Sequence, residues 1–279
     1  MQAFVSVDIE GIPHVVSKEH LNPAGKLFAE ARELMTDCLL MVLDNLRDLG
    51  FGAAIVADSH GPMVNILPEK LPDYVQLVRG SPRALAMVAG AKGCDAAFFV
   101  GYHARPGTAK AVFDHIYNWS TLRSVKINGQ EASEFLLNGA VLGELGIPVL
   151  MVAGDKALLD DDVPRHAPWA ARAVLKESLG RFSAISPSRT QIAAILSEAC
   201  KTATKTYQDG KSSLISFKPP IELEISFMST AFAEMAALVP NCERIGGWTV
   251  RYKAQSMSES YGVVQVMSMA AQGVKSITE

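Results

Sequence analysis

Four short apolar runs constrain this chain most: residues 3–7, 53–57, 96–100 and 148–153. Each is continuous rather than alternating. That is the pattern of a strand covered on both faces, as in a parallel sheet. Amphipathic helical patterns lie between the runs. Residues 26–49 carry apolar side chains at Leu27, Leu34, Leu39, Met41, Val42, Leu46 and Leu49, then stop at Gly50. Residues 81–91 read as a shorter helix, with Ser81 as N-cap and Pro82 in the first helical position. Residues 131–145, stopped by Gly146, are a third. Alternating strand and helix predicts an α/β fold: a central, mainly parallel sheet with helices on both faces and right-handed crossovers.

After about residue 185 the pattern changes. Residues 190–207 read as a helix, the IELEISF run at 221–227 alternates as a half-buried strand, and 231–238 is helical. Residues 244–254 read as one strand and 256–271 as a closing helix. The expected organisation is an α/β catalytic domain over 1–188 and a smaller α+β subdomain over 189–279. With a net charge of only −3, nothing suggests a nucleic-acid partner held through phosphates, and none is expected. The four cysteines, Cys38, Cys94, Cys200 and Cys242, form no CxxC pair and read as free thiols of a reducing compartment. The N-terminus has no basic stretch before its apolar run, and no apolar run approaches the roughly 20 residues of a membrane span. The chain therefore reads as cytoplasmic, with no membrane partner. The 49% hydrophobic content suggests surface buried between subunits.

The chemistry-bearing residues sit at the ends of the apolar runs. Asp8 and Glu10 follow the first, two positions apart, and so project together from an extended chain. His60 follows the second run, in Asp58-Ser59-His60, and His103 follows the third, in Gly101-Tyr102-His103. In open α/β sheets the carboxyl ends of the strands form the ligand crevice. Two carboxylates and two imidazoles converging there make a transition-metal site with donors suited to zinc. Glu131, Glu134 and Glu144 are further carboxylate candidates, and these patterns do not choose among them. Asp58 either orients His60 or caps a turn. His115 is a candidate acid/base, while His14 and His20 belong to a polar loop. No GxSxG elbow, Walker A loop, GxGxxG or HExxH helix is present.

The ordered set S-V-D-I-E-G, D-S-H, G-Y-H-A, S-E-F-L-L-N and P-V-L-M-V-A-G-D resembles the D-aminopeptidase DppA family of zinc peptidases, and the similarity extends into IELEISF and TVRYKA. The resemblance implies two zinc ions per subunit. Asp8 would bridge them, Glu10 and Glu134 would hold one, and His60 and His103 the other. It makes His115 the catalytic histidine and selects Glu134 over Glu131. It also implies a homodecamer of two stacked pentameric rings with the active sites inside a chamber. The chain departs from the family pattern at Ser133 and Phe135, where glycine is common, and Phe135 and Trp119 are candidates for shaping the pocket.

The function expected on these grounds is removal of the N-terminal residue of short peptides, D-amino-acid peptides among them, by a hydroxide shared between two metals. The rivals are a metallohydrolase of another amide or of a phosphoester, and a non-catalytic peptide-binding protein linked to oligopeptide uptake.

Overall fold

The computed structural model describes residues 1–278. Two sheets organise it. The first contains β1 (Gln2–Val7), β2 (Ala53–Asp58), β3 (Val75–Val78), β4 (Ala96–Tyr102), β7 (Val149–Asp155), β8 (Ala171–Gly180) and β9 (Ser183–Ile185), in the order β3-β2-β1-β4-β7-β8-β9. All neighbours in it are parallel except the final β8–β9 hairpin. The second is antiparallel, in the order β11-β12-β10-β5-β6, from β5 (Leu122–Ile127), β6 (Gln130–Glu131), β10 (Ile221–Phe227), β11 (Glu243–Arg244) and β12 (Thr249–Ala254). Helices α1 (Lys18–Leu21), α2 (Phe28–Asp48), α3 (Glu134–Glu144), α4 (Lys156–Asp160), α5 (Asp162–His166), α6 (Arg189–Gln208), α7 (Thr230–Ala236) and α8 (Met257–Thr278) complete the fold.

Strand alternation divides the core into two faces. Ala3, Val5 and Val7 pack with Met35, Leu39 and Leu43 of α2 and Leu196 of α6. Phe4, Ala97 and Phe99 face the other way and join Leu136 and Leu137 of α3, Val264 of α8 and the inner side of the second sheet at Val125, Leu223 and Val250. The expected α/β architecture, mainly parallel with both faces covered, is therefore present. The sheets do not divide the chain at residue 188, however. β5 and β6 come from within the first 188 residues yet pair into the second sheet, and α6 packs on β7 and β8 of the first.

Two local expectations fail for visible reasons. Residues 81–91 form a loop with a single 3₁₀ turn at Ala86–Val88 rather than a helix. The Ser81–Pro82 peptide is cis, and Leu85 and Ala86 take positive φ. The Arg83 guanidinium donates to the carbonyls of Gly80, Asp58 and Ala86 at 2.6–3.1 Å, which ties the loop to the end of β2. Residues 244–254 form a hairpin rather than one strand: Gly246 and Gly247 lie between β11 and β12, and Ile245 N–H donates to Thr249 O at 3.0 Å.

What positions the site is the strand order. β2 and β4 flank β1, so the chain departs to both sides of β1, and a crevice opens at the carboxyl ends beside it. Gly101 brings the two central strand ends together. Its φ is +76°, and a Cβ there would lie 2.1 Å from Asp8 O. Only glycine allows that approach.

Candidate metal centre

Asp8 and Glu10 leave the end of β1, where Asp8 N–H donates to Val100 O (2.8 Å) and Gly11 N–H to Gly101 O (2.7 Å). His60 lies just beyond β2 and His103 just beyond β4. Glu134 is the first residue of α3, whose N-cap Ser133 accepts from Leu136 N–H at 3.2 Å. All five are buried. His115, partly buried, comes from the loop between β4 and β5.

The Asp8 carboxylate stands between two imidazoles. Its Oδ1 is 3.6 Å from His60 Nδ1 and its Oδ2 is 3.6 Å from His103 Nε2. Glu10 Oε2 lies 3.0 Å from His60 Nδ1, and Glu134 Oε1 lies 3.5 Å from His103 Nε2. Nearest neighbours thus pair Glu10 with His60 and Glu134 with His103. The division by the resemblance sets the two glutamates together instead. His115 Nε2 is 3.9 Å from both Glu10 Oε1 and Glu134 Oε1, and its ring stacks on His103 at 4.2 Å.

Each of the three imidazoles is turned inward by a main-chain carbonyl. His60 Nε2 contacts Leu21 O (3.0 Å), His103 Nδ1 contacts Ala104 O (3.0 Å) and His115 Nδ1 contacts Phe113 O (2.7 Å). A carbonyl only accepts, so the nitrogen facing it carries a proton and the other is turned toward the carboxylates, as a donor to them or, once deprotonated, as a metal ligand. That is how metal-binding histidines are commonly held. His103 Nε2 is buried and, among the described residues, has no hydrogen-bond partner. A buried ring nitrogen without a partner is costly in a protein interior, and a metal cation in place of its proton would satisfy it. The donor atoms of Asp8, Glu10 and His103, and those of His103, His115 and Glu134, each lie within 4.8 Å of one another. The residues present therefore fit a metal.

Electrostatics agree. Burial, with Glu10 beside it, raises the Asp8 carboxyl well above its usual range. For Glu10 burial works in the same direction, but His60 outweighs it and holds the carboxyl well below its usual value; His103 does the same for Glu134 more moderately. Burial also opposes charge on His103, yet Glu134 and Asp8 carry it up to about 10. Three crowded carboxylates thus need positive charge among them, from protons or from metal ions. His115 departs from this trend: burial and the His103 charge lower it.

The surroundings settle several candidates. Asp58 accepts from Asn65 N–H, Ile66 N–H and Asn65 Nδ2, and so fastens the turn after His60. Glu131 is exposed on β6 and pairs with Lys126 at 3.3 Å; Glu144, at the far end of α3, holds Ser258. His14 is exposed, and His20 accepts from Val16 and Ser17 N–H within its own turn. Phe135 is fully buried against Phe99, away from the cavity, whereas Trp119 lines it. The cavity, about 500 Å³, is walled by Asp8, Glu10, His60, His115 and Glu134 on its inner side.

Sequence reasoning missed three supports. Tyr117 N–H donates to Glu134 Oε1 at 2.6 Å. A buried chain Ser59–Ser6–Tyr102–Asn138–Tyr117, with links of 2.7–3.0 Å, ties β1, β4 and α3 together beneath the cluster. Lys176 of β8 is fully buried and donates to Val15 O at 2.6 Å, anchoring the loop that carries Glu10. Burial lowers the Lys176 ammonium to about 7 from 10.5. Between those values the unfolded chain binds the proton and the folded one does not, so stability rises with pH across that window; below it the folded state bears the full cost of the buried charge. Thermal melts from pH 7 to 10 should show this rise flattened in Lys176→Met.

A model of the D-aminopeptidase family, peptidase M55, matches residues 1–266. A D-aminopeptidase of Bacillus subtilis (strain 168) is 30% identical over 273 residues, 97% of this chain and 98% of its own. The solved structure of the zinc-dependent D-aminopeptidase DppA from Bacillus subtilis, described as a self-compartmentalizing protease, superposes with a TM-score of 0.91 at 30% identity over 98% of each chain.

Proposed function

The chain belongs to the D-aminopeptidase family and is a zinc-dependent aminopeptidase, a hydrolase, and from that premise we propose that Asp8, Glu10, His60, His103 and Glu134 hold two zinc ions and that His115 serves proton transfer. The observation that carries this reading is the placement of Asp8, whose two oxygens face two different inward-turned imidazoles at 3.6 Å each. Two divalent ions more than neutralise three carboxylates and leave the centre attractive to an attacking oxygen.

Zinc bound there would supply an acidified water and a polarised scissile carbonyl. The chain's own groups do the rest. Tyr117 N–H fixes the Glu134 carboxylate. The Phe113 carbonyl holds the proton of His115 on Nδ1 and leaves Nε2 open toward the cavity, as a base for the attacking water and a donor to the leaving amine. The lowered His115 pKa keeps that nitrogen free at neutral pH.

The substrates are short peptides with a free amino end, D-residue peptides foremost. The working assembly is a homodecamer of two stacked pentameric rings in the cytoplasm, with the cavities facing an inner chamber. Support comes from the relative described as self-compartmentalizing, and from Leu179, Phe182 and Ile185, all exposed on the β8–β9 hairpin. Among the described residues no helix is long and apolar enough to cross a membrane.

Metal analysis together with a screen of D- and L-dipeptides tests the reading. Two zinc ions per chain and faster release of alanine from D-Ala-D-Ala than from L-Ala-L-Ala are expected. Zinc-loaded protein that leaves both peptides intact, or that cleaves p-nitrophenyl phosphate instead, would overturn it. Sedimentation should give a mass ten times the 30.0 kDa of one chain.

A further inference from the structure

The cavity is polarised along its depth. Its buried inner side carries three carboxylates, and its exposed rim carries two cations, Lys18 and Arg181. Arg181 is engaged: its Nε pairs with Asp114 Oδ1 at 3.0 Å and its guanidinium donates to Asp114 O. Lys18 is not. Among the described residues its Nζ has no carboxylate partner; it rests 4.2 Å above the centre of the Trp119 ring and 5.6 Å from that of Phe182. Aromatic faces hold an ammonium in place without neutralising it. Such a charge remains available to an anion.

We propose that Lys18, with Arg181 beside it, binds the C-terminal carboxylate of the peptide whose amino end lies at the acidic cluster. The enzyme thereby selects very short zwitterionic peptides. This deepens the aminopeptidase reading and rests on it. The aminopeptidase reading orients the ligand: the scissile carbonyl next to the free amino end lies at the buried centre, so the other end of the peptide points to the exposed rim where Lys18 and Arg181 stand. Length agrees. A cavity of about 500 Å³ is about 10 Å across if taken as a sphere, and two to three extended residues span about 7–11 Å.

Steady-state kinetics of the zinc-loaded enzyme on D-Ala-D-Ala and on D-Ala-D-Ala amide read this through the ratio of kcat/KM. Alanyl peptides carry no side-chain carboxylate, so the ratio reports the terminal group alone. Loss of a charge-assisted contact in a cavity should cost the amide about tenfold, chiefly in KM. In Lys18→Met the ratio should fall toward one, and Lys18→Arg should restore most of it. Lys18 is exposed, and equal melting temperatures will show that the variants fold. Calorimetric titration of the same two ligands into chelator-treated protein measures the preference without turnover. If neither peptide is cleaved, the aminopeptidase reading fails while the calorimetric ratio still decides the role of Lys18. Equal handling of acid and amide by the unaltered enzyme, or a ratio that survives in Lys18→Met, overturns the proposal.

Discussion

Replacing His115 with alanine is expected to leave zinc content unchanged and to lower kcat by about 10²–10⁴-fold, the range of a general acid–base group. His103, on which the His115 ring stacks, keeps its own anchor in the Ala104 carbonyl, so its nitrogen stays aimed at Asp8 and Glu134. Elemental analysis and kinetics on one sample separate the outcomes. Zinc lost along with activity would move His115 into the ligand set, a role its inward-facing Nε2 permits. Full turnover would remove it from the mechanism.

Asp8→Asn should have an effect of opposite sign in the two forms of the protein. With zinc supplied, the variant should lose at least one ion and about 10⁴-fold or more in turnover, because an amide is neutral and offers one acceptor oxygen in place of two charged ones. Without zinc it should melt at a higher temperature than the unaltered protein. The Asp8 carboxyl is raised by burial and by Glu10. Its ionised form is therefore a burden on the folded state that grows as pH climbs above the ordinary carboxylate range. Calorimetry with and without chelator reads both arms. A metal-free variant less stable than its parent would contradict the electrostatic account.

The central strands were legible because β1, β2, β4 and β7 are buried almost throughout and leave continuous apolar runs. β8 was not, because Lys176 is buried within a stretch that alternates elsewhere, and a lysine there reads as solvent-facing. β5, whose Arg123 is exposed, offered too little apolar sequence. The convergence of the four strand-end residues was legible for a topological reason: the carboxyl ends of neighbouring parallel strands open onto one crevice. Glu134 was not separable from Glu131 and Glu144 by residue type. Ser133 held the missing signal, since a serine cap fixes which glutamate begins the helix. The loop at 81–91 was misread because a Ser-Pro pair starts a helix only when the backbone after it stays right-handed, and Leu85 does not.

The carbonyls that aim the three histidines belong to Leu21, Ala104 and Phe113. A main-chain oxygen is common to every amino acid, so replacing any of those side chains leaves the aiming group in place. The orientation of the centre is thus inherited with the path of the backbone rather than with particular neighbours. A fold kept at a TM-score of 0.91 while 30% of residues are identical can carry such a centre through extensive drift in the sequence around it.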